Sequence, residues 1–144
     1  MAGQSGDEPE EQLEVILPAK CAALVAVTRL GRMAVIEDGW PLIVVLNHIV
    51  LGGHVLFRVP DNSRLARLTE GTAVPASYEV DSAFPVGESG WSVIVRGMLA
   101  READHLVLTA VRDQLRAWAG GRRETVLALR PEEMTGRRAG RATT

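Results

Sequence analysis

The first regular pattern of hydrophobic positions in the chain is helical. Apolar or small side chains recur at a spacing of three or four residues at Leu17, Cys21, Leu24, Val25 and Thr28. Such spacing places side chains on one face of a helix, and Pro18 suits the first helical turn because it lacks an N–H that would go unpaired there. The pattern predicts a short helix over residues 18–28.

Two tight turns then divide the chain into three predicted strands. Asp38-Gly39 follows the β-rich residues 31–36, and Gly52-Gly53 precedes residues 54–59. Asp-Gly and Gly-Gly pairs between apolar runs favour two-residue hairpin turns, because both central positions need a positive φ. The strand between the turns, residues 40–51, is apolar on both faces. We therefore expect one face to line a barrel interior and the other to be covered by a helix or a second subunit.

The second half of the chain predicts two more helices and three more strands. Ser63 is a candidate N-cap for a short helix over residues 64–69, and Asp104 is a candidate N-cap for a longer one. The remaining strands are predicted over residues 73–81, 91–101 and 125–130, with Pro75 confined to an edge or a bulge. Six mostly antiparallel strands with short flanking helices indicate an α+β, mainly β barrel.

Composition and charge narrow the class of protein. The chain has 144 residues, enough for one domain, and a net charge of −2, which argues against a dedicated nucleic-acid binder. No apolar run approaches the ~20 residues needed to span a membrane. Cys21 is the only cysteine, so no disulfide can form within the chain, and the start of the chain is acidic, unlike a secretory signal. We expect a cytoplasmic protein that binds neither membranes nor nucleic acids.

The two ends of the chain differ from the middle. Residues 1–11 are polar and acidic without apolar periodicity, and we expect them to be a disordered tail. Residues 12–138 are expected to form the barrel domain, and residues 139–144 a basic tail.

Motifs that identify many enzymes directly are missing from the sequence. There is no Gly-rich dinucleotide or P-loop motif, and the three histidines have no metal-ligand spacing. The residues alone therefore predict no metal site and identify no catalytic residue.

Three segments resemble the pyridoxamine 5′-phosphate oxidase-like family, whose members are FMN-binding split β-barrels. They are Gly39–Asn47 (GWPLIVVLN), Leu56–Leu65 (LFRVPDNSRL) and Gly90–Gly97 (GWSVIVRG), supported by Ala117-Trp118 and Met134–Arg138. The resemblance spans roughly residues 17–138. It implies a six-stranded antiparallel split β-barrel, an FMN cofactor and a homodimer.

The resemblance assigns the phosphate of FMN to Ser63 and Arg64, which offer a hydroxyl, backbone N–H groups and a guanidinium together. Arg58, at the end of the preceding strand, is a second candidate cation. The alternative is that Ser63 is only an N-cap and Arg64 is only a solvated side chain.

The flavin ring requires an apolar surface and polar contacts along its pyrimidine edge. Ser92 and the backbone around Arg58 and Val59 are expected to serve that edge, with Trp91 and Trp118 as apolar contacts. Both tryptophans are equally candidates for simple packing. Asn47 either bonds the flavin or satisfies a strand edge.

The implied function is an FMN-dependent oxidoreductase acting on a small molecule, with the redox chemistry supplied by the flavin. Two alternatives remain open: a deazaflavin-dependent reductase of the same fold, and a non-catalytic flavin- or ligand-binding module. We also expect two equivalent sites per homodimer, each built by both chains.

Overall fold

A single antiparallel sheet forms most of the protein in the computed structural model, which describes residues 12–82, 89–116 and 124–140. The sheet has eight strands: β1 (Gln12–Ile16), β2 (Leu30–Glu37), β3 (Trp40–Asn47), β4 (Ile49–Leu51), β5 (His54–Pro60), β6 (Val74–Asp81), β7 (Gly90–Arg101) and β8 (Glu124–Gly140). Three helices flank it: α1 (Pro18–Val27), α2 (Arg64–Leu68) and α3 (His105–Gln114). Within these residues no helix is both long and apolar enough to cross a membrane.

The predicted class, a mainly antiparallel split β-barrel with short helices, is confirmed, but the predicted number of six strands is wrong. The two hairpin turns are where the sequence placed them, with φ of 50° and 79° at Asp38 and Gly39 and 57° and 78° at Gly52 and Gly53. Asp104 caps α3 by accepting hydrogen bonds from the amides of Leu106 and Val107.

One additional strand arises because the predicted strand 40–51 is two strands, β3 and β4, separated at His48. Leu42, Val44 and Leu46 pack against the barrel core as expected, whereas Ile49 belongs to a different cluster beneath α3. The run of apolar residues conceals the break because both segments are buried on at least one side.

The other additional strand, β1, pairs with the second half of β8, which is far longer than predicted. β8 continues from Glu124 through Gly140 and pairs with β7 along its length. A proline favours the end of a strand, but Pro131 pairs with Gly97 and does not end β8. The register of the β7–β8 ladder shifts next to this pair, between Arg96 and Gly97. The first two residues of the predicted basic tail, 139 and 140, therefore belong to β8. The acidic tail over residues 1–11 and residues 141–144 lie outside the described part of the chain.

The order of strands in the sheet is β3-β2-β6-β7-β8-β5-β4, with β1 paired to β8. β3 and β4 are therefore at opposite ends of the sheet although only His48 separates them in the chain. Their connection brings the two ends together and wraps the sheet into a barrel. A large hydrophobic cluster around Phe57 and Tyr78 fills the barrel, and a smaller one around Leu56 and Val111 lies between the sheet and α3.

His48 is fully buried and holds this connection through hydrogen bonds. Its Nε2 lies 2.9 Å from the carbonyl oxygen of Val25 and its Nδ1 lies 2.7 Å from the hydroxyl of Tyr78. The hydroxyl oxygen of Tyr78 also lies 2.9 Å from the carbonyl oxygen of Leu46. A carbonyl can only accept, so Nε2 of the neutral ring carries the hydrogen and Nδ1 is an acceptor. The single hydrogen of the Tyr78 hydroxyl is then shared between Nδ1 and the Leu46 carbonyl. The network joins α1, β3 and β6 at the point where the barrel closes.

Burial lowers the pKa of His48 below its usual 6.5, an effect that the Val25 carbonyl opposes and the charge of Arg29 reinforces. The folded protein therefore holds His48 neutral at pH values where the unfolded chain protonates it. Because the unfolded state then binds more protons, this contribution to stability is present above about pH 6.5 and is lost as the pH falls below it.

We predict that the free energy of unfolding, measured by urea denaturation between pH 7.5 and 5, falls more steeply with decreasing pH for the wild type than for His48→Gln. The difference in slope should reach up to about 1.4 kcal/mol per pH unit, the value for one proton. Equal slopes for the two proteins would show that His48 does not titrate on unfolding.

Candidate functional site

A groove of about 400 Å³ lies where β3 approaches β5. Within the described residues, β3 pairs only with β2, and β4 covers β5 only as far as Leu56, so the facing edges of β3 and β5 are not joined by a ladder. One wall is β3 from Leu42 to Asn47; the other is the end of β5 and the start of α2. The volume is within the range typical of small-molecule sites.

Five of the eight residues predicted from the sequence as ligand contacts line the groove. These are Asn47, Arg58, Val59, Ser63 and Arg64. Leu65, Pro60 and the apolar residues of β3 add a hydrophobic surface, and Glu124 at the start of β8 adds a carboxylate. The site thus has an apolar wall with polar groups grouped at one side.

Ser63 and Arg64 occupy the start of α2, as predicted. The Ser63 hydroxyl accepts a hydrogen bond from the amide of Ala66 at 3.2 Å, which makes it the N-cap of the helix. The Arg64 guanidinium is 59% exposed and meets the Glu37 carboxylate only at 3.5 Å. An exposed pair of this kind contributes little stability, so Arg64 can turn to an anion in the groove at small cost.

Arg58 is held far more tightly than Arg64. Its Nε donates to Glu124 at 2.5 Å, and its Nη1 donates to the carbonyl oxygens of Leu115 at 2.5 Å and Arg112 at 3.2 Å. The guanidinium is therefore bound to a carboxylate and to the end of α3.

Asn47 uses its side-chain amide to donate to the carbonyl oxygen of Arg116 at 2.9 Å. It thereby ties the residues that follow α3 to the end of β3.

Three residues that organise the groove were not singled out by the sequence: Glu124, Asp61 and Thr125. The Thr125 hydroxyl donates to the Asp61 carboxylate at 2.6 Å, which fixes the turn before α2 to the start of β8. No local signal marks these residues, because each contact joins positions more than 60 residues apart in the chain.

Two of the three remaining candidates, Ser92 and Trp91, do not line the groove. Ser92 pairs with Asp81 and Arg137, whereas Arg58 pairs with Val126 at the other end of β8. Arg58 and Ser92 therefore do not lie on neighbouring strands, because β8 separates β5 from β7. Trp91 is half-buried and packs against the barrel core. Trp118 lies outside the described residues.

The charges of the groove follow from these contacts. Arg58 and Glu124 neutralise each other, which leaves Arg64 as the cation that a ligand can reach among the described lining residues. The open edge of β5 presents backbone groups beside the apolar wall. The arrangement suits a ligand that has a flat apolar body, an edge with hydrogen-bonding groups and an anionic end.

Comparison with known proteins agrees with the fold. The profile of the pyridoxamine 5′-phosphate oxidase family matches residues 18–138. The uncharacterized protein Rv0080 of Mycobacterium tuberculosis is 30% identical over 109 residues, which are 74% of this chain and 72% of the relative.

Two solved structures resemble the protein closely in fold. The FAD binding protein from Mycobacterium smegmatis has a TM-score of 0.71 at 25% identity, with 89% of this chain and 98% of the other covered. An FAD-binding protein from Mesorhizobium loti has a TM-score of 0.74 at 20% identity, with 90% and 98% covered.

We predict that Ser63→Ala lowers the free energy of unfolding by about 1 kcal/mol, since the N-cap of α2 is lost. Ser63→Asp, which keeps an acceptor at this position, should remain near the wild-type value. Urea denaturation without ligand measures both, and an unchanged midpoint for Ser63→Ala would contradict the capping role.

Proposed function

The chain belongs to the pyridoxamine 5′-phosphate oxidase family, and on this basis we propose that it is an FMN-dependent oxidoreductase whose flavin lies in the groove between β3 and β5. The observation that carries the proposal is the composition of the groove: an apolar wall, an open strand edge and an accessible arginine within one cavity of about 400 Å³. Structural neighbours that are FAD-binding proteins by name support a flavin as the ligand.

The phosphate is proposed to lie at Ser63 and Arg64. Arg64 leaves its weak contact with Glu37 to pair with the phosphate, and a charge-assisted bond to phosphate is about twice as strong as a neutral one. The Ser63 hydroxyl accepts from Ala66 and so keeps its own hydrogen for the ligand.

The ring is proposed to rest on the apolar wall, beside Leu42, Val44 and Leu46. Its pyrimidine edge is then served by the backbone of Arg58 and Val59, where β5 is paired on one side only. When bound, the flavin supplies the transfer of hydride or electrons. The protein binds and orients it and keeps water from the apolar face.

Arg64 is the one cation that a ligand can reach among the described residues of the groove, and this favours a ligand with one phosphate. A flavin with a longer anionic tail, such as FAD or a deazaflavin cofactor, would call for further cations beyond Arg64. We therefore propose FMN, and titration with FMN, FAD and a deazaflavin cofactor in parallel distinguishes the three. Oxidation of NAD(P)H with turnover of an acceptor would distinguish an enzyme from a flavin carrier.

The outer face of β2 and β3 supports a homodimer. Ile36 pairs with Pro41 and Ala34 pairs with Ile43, so their outward side chains form a continuous apolar patch. Ile43 is 68% exposed and Val45 is 47% exposed. Apolar patches of this kind on a soluble protein mark contact surfaces. We propose that a second copy of the chain covers this one.

The same strand connects the dimer face to the groove, which supports a site shared by both chains. Ile43 and Val45 belong to the patch and also line the groove. A partner seated on the patch therefore borders the groove. Ser92 shares a strand face with the exposed Ile94, and we propose that in the dimer it contributes to the groove of the partner.

We predict that Arg64→Ala weakens FMN binding about 10- to 100-fold, the effect of losing one charge-assisted contact to a phosphate. Arg130→Ala, an exposed arginine that does not line the groove, is the control and should bind FMN like the wild type. Fluorescence titration measures both. Wild-type affinity in Arg64→Ala would show that the phosphate lies elsewhere.

We predict a homodimer at micromolar concentration that Ile43→Glu converts to monomers, because a carboxylate is buried against the partner patch. Leu106→Glu is the matched control: Leu106 is 80% exposed on α3, away from the patch, and the variant should stay dimeric. Light scattering gives the masses. A wild-type mass of 15.5 kDa would refute the dimer.

A further inference from the structure

We infer that Arg58 is a positioning residue that fixes both the end of α3 and the start of β8 at the groove, and is not a phosphate ligand. The inference departs from what the position of Arg58 beside Ser63 and Arg64 suggests. It rests on the contacts of the guanidinium and, for its effect on ligand binding, on the proposed function.

Arg58 caps the C-terminal end of α3. The last carbonyl groups of a helix have no partner within the helix, and their partial negative charges attract a cation. Nη1 of Arg58 donates to two carbonyl oxygens at this end, those of Arg112 and Leu115. α3 packs on the sheet through Val111 and Leu115, so these bonds also fix its last turn against β5.

Arg58 also fixes the first residue of β8. Its Nε donates to Glu124, and both side chains are largely shielded, at 18% and 12% exposure. Removing one member of a shielded pair leaves the other charge without compensation, which is costly. The pair therefore holds α3 and β8 at fixed positions beside the groove.

The next residue of β8 holds the opposite wall. Thr125 bonds to Asp61, in the turn that carries Ser63 and Arg64. Neighbouring residues of one strand, Glu124 and Thr125, thus bind α3 through Arg58 and the turn before α2 through Asp61. The shape of the groove therefore depends on the start of β8, which Arg58 connects to the end of α3.

A guanidinium occupied in this way has little capacity for an anion. The Nε and Nη1 donors of Arg58 are engaged and its charge is compensated by Glu124, so a phosphate would meet only Nη2 and no uncompensated charge. The loss of Arg58 should therefore change the binding of the whole ligand, including parts that carry no charge, whereas the loss of Arg64 should change only the binding of a phosphate.

Riboflavin, which has the ring and the ribityl chain of FMN but no phosphate, separates the two roles. We expect Arg58→Met to raise the Kd of FMN and of riboflavin by the same factor, about tenfold or more. Arg64→Met should raise the Kd of FMN alone. Arg58→Lys keeps the charge but cannot reach Glu124 and both carbonyls together, so it should behave like Arg58→Met.

Loss of FMN binding with riboflavin binding unchanged in Arg58→Met, or recovery of FMN binding in Arg58→Lys, would overturn the inference. So would unchanged affinity for both ligands.

Amide hydrogen exchange of the ligand-free protein tests the same inference without any flavin. Exchange in residues 111–115 should be faster in Arg58→Met than in the wild type and unchanged in Arg64→Met, because only Arg58 holds the end of α3. Unchanged exchange in Arg58→Met would overturn the inference. If the wild type binds neither FMN nor riboflavin, the proposed function fails while this measurement still decides the role of Arg58.

Discussion

The fold depends on the connection at His48, where the chain leaves one end of the sheet and joins the other. β3 is the first strand in the order of the sheet and β4 is the last, yet one residue separates them. The imidazole of that residue bonds to the C-terminal end of α1 and to Tyr78 of β6, which in turn bonds to β3. The barrel is thus closed by the chain itself and by side chains rather than by a ladder of backbone hydrogen bonds.

The groove is a consequence of this way of closing the barrel. Because β4 covers only the first part of β5, the edges of β3 and β5 diverge beyond it and remain unpaired. An unpaired strand edge inside a protein requires other partners for its backbone groups. Here the edge faces a cavity, and the residues that line it include the arginine and serine at the start of α2. Fold and proposed site therefore have the same physical origin.

Local signals in the sequence predicted most of the elements. Turn residues, N-caps and hydrophobic spacing depend on neighbours in the chain, and the hairpins at Gly39 and Gly53 and the caps at Ser63 and Asp104 are confirmed. The break at His48 and the length of β8 were missed because both depend on distant partners. A histidine within an apolar run gives no sign of a bond to Tyr78, and Pro131 suggests an end where the ladder only shifts its register.

For the candidate site too, the sequence indicated individual residues but not the contacts that they make with distant parts of the chain. Asn47, Arg58, Val59, Ser63 and Arg64, which the resemblance to a family singled out, line one groove. The resemblance did not show what Arg58 contacts, since Glu124 and α3 approach it only in the folded chain. The resemblance also could not show that β8 lies between β5, which carries Arg58, and β7, which carries Ser92. The order of strands in a sheet differs from their order in the sequence.

The central claim, that the gap between β3 and β5 is the flavin site, is tested most directly by hydrogen exchange of the wild type with and without saturating FMN. The account predicts that FMN slows exchange in residues 42–47 and 57–65, which form the two walls. A second depression, of about 700 Å³, adjoins the apolar patch at Ala34 and Ile36, is lined also by Ser77, Arg96 and Glu133, and provides the comparison. Slower exchange around that depression, with the two walls unchanged, would contradict the account.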